Sequence, residues 1–449
     1  MINQLDFLKC YYRPAFFQIK IDLPVDLGNL GEVTDGTLSL YLHEYIHFIQ
    51  DISTIYGLIN ISTINYYIQD CAARISRQTE KEFSIPLKLI ERKEDFGYLN
   101  FNLQPIYLGS KINPKRREIS FISYSKENAV INENNDYIET IVLNLYDDIQ
   151  NEKFNVNLGG NLVTEGMAYL AERYVYSKTL KEQGHYIPVD EYPYCVIEKI
   201  AQSIYADLAE FDILLIAICD CCLMTYHPGL SFIKSLEFLK QERFIQDHEN
   251  DSEIITKLYQ TLSAHLKGNH LDFNTVIDDV RKSIQKSFKV EHFEGNNKWI
   301  DILFDRIKVF RNNRPEFIVD FLQLGDLKTN ELFSCFHKLL GSPLVLNGEN
   351  LATITLPSGF NPINFQPYLF WAINQMLRIF SNNNPTPCEL KDFCKKSKEI
   401  SDPNIVIDER CDTAPWKRFN DINLCPMGIM WKHWALSGYT PIPEKREVI

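Results

Sequence analysis

The chain of 449 residues reads as a predominantly helical α+β protein, on three observations. Most of it repeats apolar residues at three- and four-residue intervals, the period of a helix with one buried face. One stretch near the start, Phe17-Gln18-Ile19-Lys20-Ile21-Asp22-Leu23, alternates apolar and polar side chains as a half-buried strand does. A third region, about residues 90–160, is a series of short β-leaning runs between Asn, Asp, Gly and Pro turn signals.

Pro24 ends the first strand. Asp35 then stands as the N-cap of a helix from about Thr37 to about Tyr56, with Gly57 as its stop. The runs "FGYLNFNL", "REISFISY", "YIETIVLNL" and "KFNVNL" predict hairpins or a small sheet inserted before the next helix. That helix resumes at Thr164, itself a capping residue, and continues through "EGMAYLAERYVYSKTL". Two more are expected at roughly Tyr194 to Ala206 and Ala209 to Met224, ending at "YHPG". Beyond them "FNTVIDDVRKSIQKSF", "KWIDILFDRIKVFR" and "PYLFWAINQMLRIF" keep the helical period, and "SNNNPTPC" is the one linker-like tract. The natural partition is residues 1–230, carrying the chemistry described next, and a helical C-terminal region, 231–449.

Hydrophobic residues make up 45% of the chain and charged residues 23%, enough apolar material for a large core. A formal charge of −13 repels phosphate backbones and argues against nucleic-acid binding. The short basic run Lys115-Arg116-Arg117 reads as a solvated loop. The first residues have no basic start or uninterrupted apolar core, and the greasiest run, Phe211 to Met224, holds Asp212 and Asp220 and is too short to span a bilayer. The expectation is a cytoplasmic protein with no membrane partner. Eleven cysteines without regular spacing fit reduced thiols. Cys219, Cys221 and Cys222 fall in an apolar helical pattern and read as core, and the spacing of Cys388, Cys394, Cys411 and Cys425 does not point to a metal.

The chemistry centres on Leu42-His43-Glu44-Tyr45-Ile46-His47-Phe48. Residues four apart on a helix share a face, so His43 and His47 can aim at one ion, and Glu44, offset by about 100°, reaches a water on that ion without binding it. With ten histidines in the chain, chance spells His-Glu-x-x-His in on the order of one such sequence in a hundred. The flanking Leu40, Leu42, Tyr45, Ile46, Phe48 and Ile49 imply a buried helix, where two histidines and a glutamate are costly unless something pairs with them. A catalytic zinc needs a third protein ligand. Six residues after His47, where the metzincin type has a histidine, stands Ser53; a glutamate on the second helix, in "VTEGMAYLAE", is the alternative supply. Asp51, one turn beyond His47, is its rival, but three donors on one helix would lie along a line, so a hydrogen bond to His47 or a place on the helix surface is expected of it.

The pair HEYIH and TEGMAYLAE resembles the gluzincin class of zinc metallopeptidases, in particular the aminopeptidase-like branch. The resemblance covers two helices; Thr164 stands where that branch has asparagine, and the interval between the motifs is much longer. It implies a zincin-like core with His43, His47 and Glu165 as ligands of Zn2+, Glu44 as general base, and Glu172 as a partner orienting a histidine. The implied activity is hydrolysis of peptide bonds in a peptide or protein substrate, with Glu44 activating a zinc-bound water. His227, His185, Tyr192 and Tyr194 are candidates to steady the oxyanion. A metal-containing regulatory protein without turnover, and a zinc hydrolase of non-peptide substrates, are the competing expectations.

Overall fold

The computed structural model describes residues 10–87, 104–110, 115–130, 137–185, 189–248, 253–269, 271–289, 291–382, 384, 386–421 and 425–444. Among these residues helices dominate, with three small sheets between them. The expected α+β character is therefore present. The run "FGYLNFNL" lies outside the described residues.

The alternating stretch near the start forms the strand Gln18–Lys20. It pairs antiparallel with Tyr11–Arg13 and parallel with Leu344–Leu346, in the order first hairpin, Leu344–Leu346, Ala352–Thr353. The pairing ties the first residues to the last third of the chain. Phe17, next to this strand, stands edge-on to Trp299 at 5.4 Å and to Phe370 at 5.1 Å, so one apolar core runs through residues on both sides of position 230.

The helix bearing the two histidines runs Asp35–Ser53, and from Leu42 to Ser53 every residue of it is buried. Thr34, not Asp35, is its N-cap, because the Thr34 hydroxyl accepts the Thr37 N–H. Asp35 lies in the first turn, where it takes Lys328 and Gln183 as partners. Gly57 does not stop the helix. One extended residue, Thr54, interrupts it, and a second helix, Ile55–Ser76, starts at once with the Thr54 side chain capping Gly57 N–H. Gly57 is needed for another reason: a Cβ there would sit 2.4 Å from the backbone of Asp51, across the kink.

The expected small sheet is antiparallel, Ile119–Val130, Tyr137–Asp147 and Glu152–Leu158. Arg116 of the basic run is not solvated: its guanidinium bonds Asp147 at 2.8 Å and covers the Phe154 ring at 4.0 Å. The sheet leads into the glutamate helix, Gly160–Glu182, which starts a turn earlier than the sequence suggests. Thr164 therefore lies inside it and donates to the Asn161 carbonyl. This helix packs against both the histidine helix and the apolar helix Asp212–Leu223, where Cys219, Cys221 and Cys222 are buried. "HPG" opens a helix, Pro228–Gln241, as well as closing the one before, since proline suits the first helical position. No helix among the described residues is long and apolar enough to cross a membrane.

Candidate metal centre

The packing of two helices brings His43, His47 and Glu165 together. Their donor atoms lie within 4.8 Å of one another, and all three residues are buried. The Nε2 atoms of the two histidines are 3.3 Å apart, and each is 3.5 Å from a different oxygen of Glu165. Ligands at zinc–nitrogen distances of about 2.0–2.1 Å around a tetrahedron stand about 3.3 Å apart. The three donors already have the spacing a bound ion would impose.

Hydrogen bonds fix which nitrogens face the space between the three residues. Gln50 donates from Nε2 to the Thr164 carbonyl at 3.1 Å, which leaves its Oε1 to accept from His47 Nδ1 at 2.9 Å. His43 Nδ1 meets Glu172 Oε2 at 3.1 Å, and Ser39 donates to the other Glu172 oxygen at 2.7 Å. Both Nδ1 atoms thus hold protons against acceptors. Two Nε2 atoms and a carboxylate then converge in a buried space, where a cation, a proton on an imidazole or a metal ion, offsets the carboxylate charge. In the absence of a metal, a proton on His43 takes that place. Burial works against a charged His43, yet hydrogen bonds to Glu165 and Glu172 and the nearby Glu44 raise its pKa well above the ordinary value. Burial likewise opposes ionised Glu165, but His47 and His43 pull its pKa down to about 2.

Glu44 is buried beside this group without belonging to it. Burial lifts its carboxyl to about 7, with Glu165 and Glu172 adding to the rise and the two histidines opposing it. Gly166, the residue after Glu165, lets the helix Val196–Ile204 approach: a Cβ there would be 2.5 Å from Ile197. Just before that helix, Tyr194 sets its ring edge against His43, 5.6 Å between centroids. Its phenol is held protonated by burial and by the fields of Glu165, Glu44 and Glu172.

The other candidates have partners of their own. Asp51 turns away from the histidines and accepts from Tyr12 OH at 2.9 Å and Ala15 N–H at 2.7 Å; the acceptor on His47 is Gln50. His227 caps the helix Pro228–Gln241 through its Nδ1 and packs against Tyr107, and burial lowers its pKa to about 4. Tyr192 packs on Phe154, and His185 is exposed at the end of the glutamate helix. Two residues that sequence reasoning passed over are Gln50, three positions after His47, and Ser39, four before His43. Helical spacing pointed to both. Lys115, whose ammonium lies 5.7 Å from the Tyr194 ring centre, had no such signal.

Compared with protein-family models, with curated proteins and with solved structures, the chain matches none.

Proposed function

We propose that this chain hydrolyses peptide bonds with a zinc ion held by His43, His47 and Glu165. The observation that carries the reading is the division within one buried cluster: three donors at ligand spacing, and Glu44 next to them outside the donor set. A site that only held a metal would have no use for Glu44. Zinc bound there supplies a polarised carbonyl and an acidified water. Glu44 takes the proton from the attacking water and passes it to the departing amine. Tyr194, protonated and against His43, donates to the oxygen on which charge develops. Glu172 and Gln50 hold the two imidazoles in the tautomer that leaves Nε2 free.

The test is Glu44→Gln, which keeps the shape and removes the base. Elemental analysis is expected to find its metal content unchanged, while cleavage of a peptide library, read by mass spectrometry, falls at least about 100-fold. Wild-type cleavage by this variant would sink the proposal.

A further inference from the structure

The C-terminal part of the fold gathers four cysteines that their spacing in sequence keeps apart. The Cys388 thiol lies within electrostatic reach of Cys394, Cys411 and Cys425; Cys394 is within reach of Cys411 and Cys425, and Cys425 of Cys411. A backbone bond of 2.8 Å from Cys388 N–H to the Cys411 carbonyl clamps two of the segments together. The surroundings offer hydrogen-bond donors to sulfur. Gly428 N–H points at Cys425 Sγ, 3.2 Å away, at the start of the helix Pro426–His433. The buried Arg418 directs its guanidinium at Cys411 Sγ, 3.1 Å away, and Leu390 N–H serves Cys388.

Donors of this kind favour thiolate over thiol. Sulfurs brought together with such donors around them can share a divalent cation, which replaces the thiol protons and neutralises the thiolate charge. The local fold has reason to use one. The helix Lys391–Ile400 contributes no buried residue, and its neighbour Arg410–Thr413 is a single turn. Phe393 against Tyr368 and Trp371, with the buried Leu390 and Trp416, ties them to the main core, and an ion would add a cross-link to that packing.

We propose that Cys388, Cys394, Cys411 and Cys425 bind a second zinc ion as a closed tetrathiolate site with a structural role. Among the described residues only the histidine–glutamate group already has its donors within 4.8 Å, so the sulfurs close on the ion by rotation about their side-chain bonds and release their protons to solvent. The ion fastens residues 388–411 to the helix Pro426–His433, which packs on Tyr368–Ser381, and so to the strand Thr440–Pro443, paired with Glu82–Ile85.

The experiment is cobalt exchange of the full-length protein, read by absorption. Thiolate-to-cobalt charge transfer in the near ultraviolet is expected in the wild type, and it persists in a His43→Ala/His47→Ala variant, which has lost the first site. That variant also retains about one zinc per chain. Cys394→Ser is expected to lose most of the band. Absence of the band from wild type, or a peptide map in which two of these cysteines share a disulfide, overturns the proposal. A double-histidine variant without zinc does so independently of whether Cys394→Ser folds, and neither result bears on the peptidase reading.

Discussion

His47 and His43 are held by different kinds of partner, and the difference matters at the scale of single residues. A carboxylate backs His43, and an uncharged amide backs His47. Gln50→Leu removes the amide while leaving the helix intact. Metal affinity, measured by competition with a chelating dye, is expected to weaken about 10- to 100-fold. Asp51 gives a prediction in pH. Burial, opposed by its bonds to Ala15 and Tyr12, raises its carboxyl from 3.8 to about 7. The folded protein therefore keeps a proton that the unfolded chain has already lost, so stability falls as pH rises through that window. In Asp51→Asn the difference in melting temperature between about pH 4 and about pH 7, the ends of that window, is expected to shrink; an unchanged difference would refute the assignment.

The ligands were legible because their signal is local. His43, Glu44 and His47 share one helix, and helical geometry alone sets their relative directions. Glu165 was legible only as part of a second motif on another helix. Asp51 has the spacing of a partner for His47, yet the N-terminal hairpin covers that side of the helix and captures it with Tyr12 and Ala15. No pattern in residues 42–51 announces a hairpin that packs there.

At the scale of elements, periodicity located the helices and misplaced their ends. Thr34 rather than Asp35 starts the histidine helix, and Thr54 rather than Gly57 ends it. Each end depends on which hydroxyl meets which N–H, a matter of one or two residues that apolar period does not register. Gly57 looked like a terminator because glycine often is one, whereas here it permits a close crossing of the backbone. Gly57→Ala forces its Cβ into Asp51 and is expected to cost about 1–3 kcal/mol, more if the kink cannot open. Urea unfolding would measure it, and a neutral result would mean the crossing is looser than 2.4 Å implies.

Across the whole molecule, one buried polar network joins residues that the partition at 230 separates. Arg311 binds both oxygens of Asp220 at 2.7 Å and also reaches the Ser53 carbonyl at 2.8 Å, the last residue of the histidine helix. Tyr259 donates to Asp220 at 2.7 Å. Such a network was invisible in the sequence, because its members are far apart and no motif relates them. Arg311→Leu leaves the Asp220 carboxylate buried without a cation and is expected to cost about 3–5 kcal/mol, read by thermal or urea unfolding. A loss within error of zero would show the pair to be dispensable.

The tautomer bridge from Gln50 to Thr164 spans 114 residues of chain, including the whole three-stranded sheet. In polymer terms an ion held by His43, His47 and Glu165 is a cross-link that closes a long loop. Two of its arms are present as soon as one helix forms; the third arrives only after the intervening hairpins have folded and docked. Closing a loop of that length in an unstructured chain costs about 4–5 kcal/mol on the scale used for disulfides. The folded sheet has already met that cost. Tight binding would therefore be a property of the completed fold, and a newly made chain would hold an ion loosely, by two imidazoles, until the sheet is in place.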